Sequence, residues 1–207
     1  SSDKAVNPTN VMGSTKLLGE RLITAANANK TKKYPIFIST RFGNIMGSNG
    51  SVIEVFKKQI LRGGPVTLTD SEMSRFVMTT EESVKLILDS AIIGKGGEVF
   101  ITKMPVIMIK DLALSMIEIY SKKFGYKTKD VKIKIIGSKP GEKLYEELMN
   151  TEETRRALEL NKYFSVLPAL RYDHKNLYTY QNVKSLKIQN PYISSKQKPL
   201  SINQIKK

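Results

Sequence analysis

The order of hydrophobic patterns along this sequence predicts an α/β fold. Short β-branched or aromatic runs alternate with stretches of helical apolar spacing, Gly, Pro and capping residues mark the junctions, and residues 131–136 alternate lysine with apolar side chains as a half-exposed strand does. Asn7-Pro8-Thr9-Asn10 is turn chemistry, and Val11, Leu18, Leu22 and Ala25 follow at helical spacing, so residues 8–28 are read as a helix with these side chains on one face. Residues 27–33 are polar and read as a loop, and Pro35-Ile36-Phe37-Ile38-Ser39-Thr40 reads as a short buried strand. Arg41-Phe42-Gly43-Asn44 leaves its end for a glycine-punctuated loop. Ser51 is placed to cap a helix carrying Val52, Val55, Phe56 and Ile60, which Gly63-Gly64 closes before Pro65. Residues 66–69 and 75–78 read as extended. Thr80 is read as the cap of a second such helix, with Glu81 and Glu82 in its first turn and Val84, Leu86, Ile87 and Ile92 inward. Residues 98–102 look like a strand and residues 109–124 like an amphipathic helix with Ile109, Leu112, Ala113, Met116 and Ile119 on one side. Beyond Asn150 the pattern decays: residues 151–160 read as one helix, and the chain from Asn161 as mostly irregular with tyrosines.

The 207 residues suit one ordinary domain or two small ones, and 40% hydrophobic with 26% charged residues describes a globular chain. No apolar run approaches the roughly 20 residues of a bilayer span. Without cysteine there is no disulfide, thiolate metal site or cysteine nucleophile, and one histidine excludes a multi-histidine site, so no metal is expected. The balance of 34 basic against 19 acidic residues, a net +15, favours polyanionic partners: nucleotide phosphates, nucleic acid or an anionic membrane face. The excess is uneven, because no acidic residue follows Asp173 while lysines continue at Lys175, Lys184, Lys187, Lys196, Lys198, Lys206 and Lys207; this stretch reads as a solvated, partly ordered basic tail. Nucleic-acid binding also asks for an aromatic stacking platform or a known module; neither is evident, and no nucleic-acid partner is expected. The chain starts at Ser1 inside what reads as the end of a strand, which leads to the expectation of a fragment of a longer protein.

Two segments invite a chemical reading. In Gly43-Asn44-Ile45-Met46-Gly47-Ser48-Asn49-Gly50 the glycines follow a strand and precede a helix, yet the spacing is neither the dinucleotide G-x-G-x-x-G nor a P-loop, so a flexible loop is the default. The opening, Ser1-Ser2-Asp3-Lys4, sets hydroxyl, carboxyl and amine at a strand's C-terminal end, where α/β enzymes hold ligands, and Lys16 follows one turn after Met12 on the next helix. By spacing alone a surface capping turn before an ordinary helix is the favoured reading.

The opening resembles the catalytic region of extended short-chain dehydrogenases, specifically the nucleotide-sugar 4,6-dehydratases of the polysaccharide-biosynthesis (CapD-like) family. The resemblance continues through Arg41-Phe42-Gly43-Asn44-Ile45-Met46-Gly47-Ser48, Gly50-Ser51-Val52-Ile53, Gly63-Gly64-Pro65-Val66-Thr67, Met73-Ser74-Arg75-Phe76-Val77-Met78-Thr79 and Pro140-Gly141-Glu142-Lys143-Leu144-Tyr145-Glu146-Glu147-Leu148, in family order over most of residues 1–150. It implies the C-terminal part of an extended short-chain dehydrogenase Rossmann-like fold with a small substrate-binding subdomain: residues 1–150 as the catalytic and sugar-nucleotide portion, residues 151–207 as a basic, partly irregular extension. It also implies a redox-neutral reaction on UDP-N-acetylglucosamine with NADP or NAD, in which hydride leaves C4 of the sugar, water is eliminated across C5 and C6, and hydride returns at C6.

Carried over residue by residue, the resemblance puts Ser2 on the family's hydrogen-bonding partner of the C4 hydroxyl, Asp3 and Lys4 on the acid–base pair of the elimination, and Lys16 on the lysine that grips the nicotinamide ribose. The chain departs from the commoner Tyr-x-x-x-Lys in carrying Met12, as some larger dehydratases of the family do; a thioether cannot take the C4 hydroxyl proton, which leaves Asp3, Lys4 or a water for that task. Arg41 and Asn44 match residues lining the nicotinamide and sugar-nucleotide junction, Asn44 toward a phosphate or a sugar hydroxyl. Ser51, Arg75 and Glu142 are assigned to the substrate nucleotide, and Lys139 stands where the family more often has an arginine on the pyrophosphate, keeping the charge without the bidentate fork; for Arg41, Asn44, Arg75, Glu142 and Lys139 a structural salt bridge is the alternative. The family's cofactor fingerprint, Gly-x-x-Gly-x-x-Gly, precedes the catalytic block and does not occur in this sequence. The expectation is therefore a chain that partners an N-terminal cofactor-binding half and does not turn over alone. The full-length protein is expected to be a cytoplasmic homo-oligomer, at the inner membrane face if helices lie upstream. A nucleotide-sugar 4-epimerase, or a non-catalytic sugar-nucleotide binder, is the alternative.

Overall fold

The computed structural model describes residues 1–48, 50–169 and 178–206. Asn49 of the glycine loop, and Asp173, Lys175 and Lys207 of the basic stretch, lie outside them. In chain order the first half contains α1 (Val11–Asn29), β1 (Ser39–Arg41), β2 (Asn44–Ile45), α2 (Val52–Leu61), β3 (Val66–Leu68), β4 (Ser74–Met78), α3 (Thr80–Ile93) and β5 (Val99–Thr102). There follow β6 (Val106–Met108), α4 (Ile109–Lys123), β7 (Ile133–Ile135), β8 (Glu147–Met149), α5 (Thr151–Thr154), β9 (Ala157–Leu160), β10 (Tyr163–Val166), β11 (Val183–Ser185), β12 (Tyr192–Ile193) and α6 (Ile202–Ile205). Two units share these elements: Ser1–Gly43, Thr79–Met104 and Glu147–Ile193 form one, and Asn44–Met78, Pro105–Glu146 and Ser194–Lys207 the other.

In the first unit a five-stranded sheet runs β1-β5-β10-β9-β11, with β1 and β5 parallel and the remaining pairs antiparallel. Leu86, Phe100, Leu160 and Tyr163 form an apolar cluster in this unit. The chain beyond Asn150 is more regular than the sequence suggests. Asn150 and Glu153 make a reciprocal capping box, but the helix lasts only through Thr154, after which β9 and β10 form a hairpin around Asn161-Lys162. Ala157 and Val166 face each other in that register, as do Leu158 and Ser165; the two-residue polar turn between apolar runs is the local signal for it.

Helix α1 forms where expected, capped by Asn10, whose Oδ1 accepts from the Gly13 N–H at 2.9 Å. Its apolar face is turned outward. Gly13, Glu20 and Asn27 are buried, while Val11, Leu18 and Leu22 are exposed. Each buried position serves backbone or charge rather than apolar packing: Asn27 Oδ1, for example, accepts from the Phe37 N–H at 3.2 Å. On α3, Leu86 is inward as read, but Val84, Ile87 and Ile92 are exposed. Its cap is Thr79, not Thr80: Thr79 Oγ1 accepts from the Glu82 N–H at 3.1 Å, and Glu82 accepts from the Thr79 N–H at 2.8 Å.

The second unit has a three-stranded sheet, β2-β4-β6, with β2 and β4 parallel and β6 antiparallel, and a parallel β3–β7 pair in which Val66 faces Ile133. Its core gathers Phe56 and Ile60 of α2, Leu112 and Met116 of α4, and Val66 and Leu68 of β3. On α4 Ile119 is exposed, outside the buried stripe. Gly63 and Gly64, both at positive φ of +83° and +89°, end α2 as expected, and their N–H groups donate back to Ile60 and Gln59 carbonyls.

Candidate functional site

The first residues extend the edge of β1. Ser2 bridges Phe42 in parallel, the Phe42 N–H donates to the Ser1 carbonyl at 3.2 Å, and the Ser1 amine donates to the Thr40 carbonyl at 2.8 Å. The chain then turns in a single 3-10 turn, Asp3–Ala5, whose cap is Ser2: its Oγ accepts from the Lys4 N–H at 3.3 Å. The Asp3 carboxylate is buried and the Lys4 ammonium, half exposed, lies 3.3 Å from it. Asn7, in the left-handed region at φ 45°, carries the chain out of the turn, and its Nδ2 donates to Glu147 at 2.6 Å.

Helix α1 presses on this turn through Gly13. A Cβ at that position would lie 2.5 Å from the Lys4 carbonyl oxygen and 2.8 Å from Pro8 Cβ, so only glycine permits the approach. Met12 is exposed and Lys16 half buried. Among the residues assigned to catalysis, the structure joins Ser2, Asp3 and Lys4 in one turn and sets Lys16 on the helix that packs against it.

Arg41 is a correction. It is 1% exposed, and its guanidinium is fully engaged: Nε and one terminal nitrogen grip Glu20 at 2.9 and 2.7 Å, both terminal nitrogens grip Glu153 at 2.8 and 2.7 Å, and the Leu148 carbonyl takes a further bond at 2.8 Å. Burial alone would lower its pKa, but the two carboxylates outweigh that and raise it well above the usual value. No N–H is left for a dinucleotide, so Arg41 ties α1 and β8–α5 to β1 instead of lining a cofactor site.

In the second unit Asn44, Ser51, Arg75 and Glu142 line one cleft of about 380 Å³, with Thr67 and Thr69 beside apolar side chains from β4, β6 and α2. Ser51, Val52 and Ile53 bring the N-terminus of α2 to the cleft wall, a setting that favours an anion. The Ser51 hydroxyl is buried, makes no capping bond and has no hydrogen-bond partner among the described residues. Arg75 spends donors on the carbonyls of Ser74, Lys143 and Leu144 and sets Nε 3.5 Å from Glu146, so it offers the cleft positive charge more than an open fork. Thr69 donates to Glu142 at 3.3 Å. Lys139 is not among the lining residues; it is exposed, and its backbone N–H donates to Glu142 at 3.3 Å.

Sequence reasoning missed Glu146. It is 3% exposed and accepts from Asn44 Nδ2 at 2.7 and 2.9 Å and from the Phe76 N–H at 2.9 Å, behind two of the lining side chains. The signal lay in the motif itself: two adjacent acids, Glu146 and Glu147, lead into the apolar Leu148-Met149 of β8, where a buried carboxylate must find donors.

A family model described as polysaccharide biosynthesis protein matches residues 1–168. The chain is 50% identical over 190 residues to an uncharacterized membrane protein of Methanocaldococcus jannaschii, covering 92% of this chain and 57% of that one. It is 36% identical over 177 residues to a UDP-N-acetylglucosamine 4,6-dehydratase (inverting) of Campylobacter jejuni (85% of this chain, 50% of the other), and 35% identical over 206 residues to a UDP-glucose 4-epimerase of Rickettsia canadensis (100% and 58%). The chain thus spans between half and three-fifths of these relatives' length. The X-ray structure of Pen from Bacillus thuringiensis matches all of this chain with a TM-score of 0.86 at 42% identity, over 59% of its own length. A dTDP-glucose 4,6-dehydratase from Bacillus anthracis in complex with NAD matches 65% of this chain at a TM-score of 0.52 and 19% identity, over 42% of its own length, a likeness of fold. Among the described residues no helix is long and apolar enough to cross a membrane.

Proposed function

Because this chain belongs to the polysaccharide biosynthesis protein family and has the α/β fold of the Rossmann-type short-chain dehydrogenases, we propose that it carries the acid–base and sugar-nucleotide residues of a UDP-N-acetylglucosamine 4,6-dehydratase. The observation that carries the reading is the Asp3–Lys4 contact, an amine and a carboxyl 3.3 Å apart on a turn held from both sides. Elimination of water across C5 and C6 needs one group to take the C5 proton and another to protonate the departing hydroxide. The pair holds one proton between its two basic atoms, so it performs both tasks with no net change of charge. In this reading Lys4 serves as the base and Asp3 as the acid.

Ser2 spends a lone pair on the Lys4 N–H and keeps its own proton to donate to the oxygen at C4. The hydride chemistry belongs to a bound nicotinamide dinucleotide, NAD or NADP. Of the residues assigned to it, Lys16 fits, being half buried on the helix that packs against the Asp3–Lys4 turn, and Arg41 does not. Met12 contributes no proton chemistry, so the C4 hydroxyl proton passes to Asp3, Lys4 or water. In the second unit the cleft of Asn44, Ser51, Arg75 and Glu142 is assigned to the nucleotide, and the α2 N-terminus with Arg75 to its phosphates.

The second reading, a 4-epimerase, is favoured by the 35% identity to the Rickettsia enzyme over 206 residues. The two differ in product mass. In its catalytically active form, supplied with UDP-N-acetylglucosamine and NADP, the protein is expected to yield a sugar nucleotide lighter by one water, and the double variant Asp3→Asn/Lys4→Met none. An epimer of unchanged mass, formed equally well by the variant, overturns the dehydratase reading. Calorimetry with UDP on the 207 residues tests the binding half separately, and no heat of binding would remove the cleft assignment.

A further inference from the structure

The amide of Asn44 is locked by its surroundings. Its Nδ2 lies 2.7 and 2.9 Å from the two Glu146 oxygens and 2.9 Å from the Phe76 carbonyl. All three are acceptors, so both amide hydrogens are consumed; the reversed amide would set oxygen against three oxygens. Asn44 Oδ1 accepts no hydrogen bond among the described residues, and Asn44 lines the cleft.

Glu146 enforces this orientation because it is itself fixed. The Phe76 N–H donates to it at 2.9 Å, so the two backbone groups of Phe76 grip the carboxylate and the amide in turn. The Glu146 backbone is clasped by Ser194, whose N–H donates to the Glu146 carbonyl at 2.8 Å and whose Oγ accepts from the Glu146 N–H at 2.8 Å. Ser194 Oγ is in turn 2.8 Å from Ser74 Oγ. A buried carboxylate held on that many sides has no cheap rearrangement, and a donor turned away from it would leave it under-bonded.

We infer that Asn44 is a fixed hydrogen-bond acceptor in the cleft, its polarity set by Glu146 as a positioning residue, and that it reads a hydroxyl or ring N–H of the ligand and not a phosphate oxygen. Two acceptors cannot bond each other, so a phosphate facing Oδ1 is repelled. This rests on reading the cleft as the sugar-nucleotide site, and it divides the labour there: charge and helix end for the phosphates, Asn44 for a donor on the sugar, ribose or base.

The experiment has two arms. In the ¹⁵N-labelled chain without ligand, the Asn44 side-chain amide, identified by its loss in Asn44→Asp, should exchange with solvent at least about tenfold more slowly than exposed asparagine amides. Free exchange overturns the fixed polarity, whatever the cleft binds. In the second arm Asn44→Ala and Glu146→Gln are titrated with UDP-N-acetylglucosamine and with inorganic pyrophosphate. Each should weaken the sugar nucleotide by about tenfold, the loss of one hydrogen bond, and leave pyrophosphate unchanged. Equal loss for both probes overturns the inference. If the unaltered chain binds no UDP-N-acetylglucosamine, the nucleotide reading of the cleft fails and with it the assigned ligand group, while the exchange arm still decides the polarity.

Discussion

Arg41 and Arg75 each leave a strand toward a buried glutamate, one in each unit, and the resemblance assigns both to ligands. Arg41 meets two carboxylates and a carbonyl, with every N–H taken and 1% of its surface exposed. Arg75 meets one carboxylate at 3.5 Å, which Asn44 and the Phe76 N–H already satisfy, and its side chain keeps 16% exposure at the rim of a cleft. The difference teaches that a buried arginine is spent in proportion to the carboxylates around it. Where two glutamates converge the guanidinium is architecture; where one glutamate has other donors, its charge remains available to a ligand.

Breaking the comparison at Arg41 should have the largest effect. Arg41→Met takes from buried Glu20 its ion-pair partner and leaves Glu153 only Arg156, 4.0 Å away, at a cost of about 3–5 kcal/mol in urea unfolding. Arg75→Met should cost about 1 kcal/mol, because Glu146 keeps its other donors, yet weaken UDP binding about tenfold. A stability loss of equal size in both variants would erase the distinction. The triad also sets acid stability. Burial would raise the Glu153 carboxyl, but the Arg41 bonds outweigh it and hold it below the ordinary 4.5. Its contribution is therefore whole above that pH and drains away as acid takes the solution through the lower folded value. Glu153→Gln should flatten that acid limb of the stability curve.

Why the chain hides the partners of Arg41 but shows which residues share a cleft with Asn44 is a matter of range. Glu20 and Glu153 stand 21 and 112 positions from Arg41, and nothing local in the chain announces that they converge. Asn44, Ser51 and Arg75 sit in short motifs on adjacent elements, β2, α2 and β4, and local patterning delivers them to one cleft together with Glu142. The faces of α1 and α3 escape the sequence because apolar period marks the stripe that wants cover, whereas α1 turns Gly13, Glu20 and Asn27 inward to meet backbone and charge. The β9–β10 hairpin is legible at Asn161-Lys162, but the strong cap at Asn150 and the run after it read as one helix through residue 160. The opening turn is readable as Ser, Asp and Lys at a strand end, while its buttress, Gly13 against Lys4, requires coordinates.

That buttress gives the next effect in size. Helix α1 carries two glycines in different company: Gly13 abuts the Lys4 carbonyl, whereas a Cβ added at Gly19 would meet nothing within 4 Å. Gly19→Ala should stabilise by roughly 0.5–1 kcal/mol, the ordinary helix gain. Gly13→Ala should lose about 1–3 kcal/mol to overpacking and, because the strain falls on the Asp3–Lys4 turn, depress turnover in the active enzyme with little change in UDP affinity. Matching gains for the two alanines would mean that α1 does not press on the turn.

The smallest effect separates two helix caps. Thr79 completes a capping box on α3, so Thr79→Ala should cost about 1 kcal/mol, the usual value of a lost cap. Ser51 occupies the same position on α2 without the bond, its hydroxyl buried and without a partner among the described residues. An unsatisfied buried hydroxyl is a liability, so Ser51→Ala should leave the urea midpoint unchanged or raise it, by up to about 1 kcal/mol, while weakening UDP binding. Such a residue stays polar for what enters the cleft and not for the fold around it. If Ser51→Ala instead lowers the midpoint as Thr79→Ala does and UDP affinity holds, the serine is a cap after all, and the α2 end loses its place in the binding site.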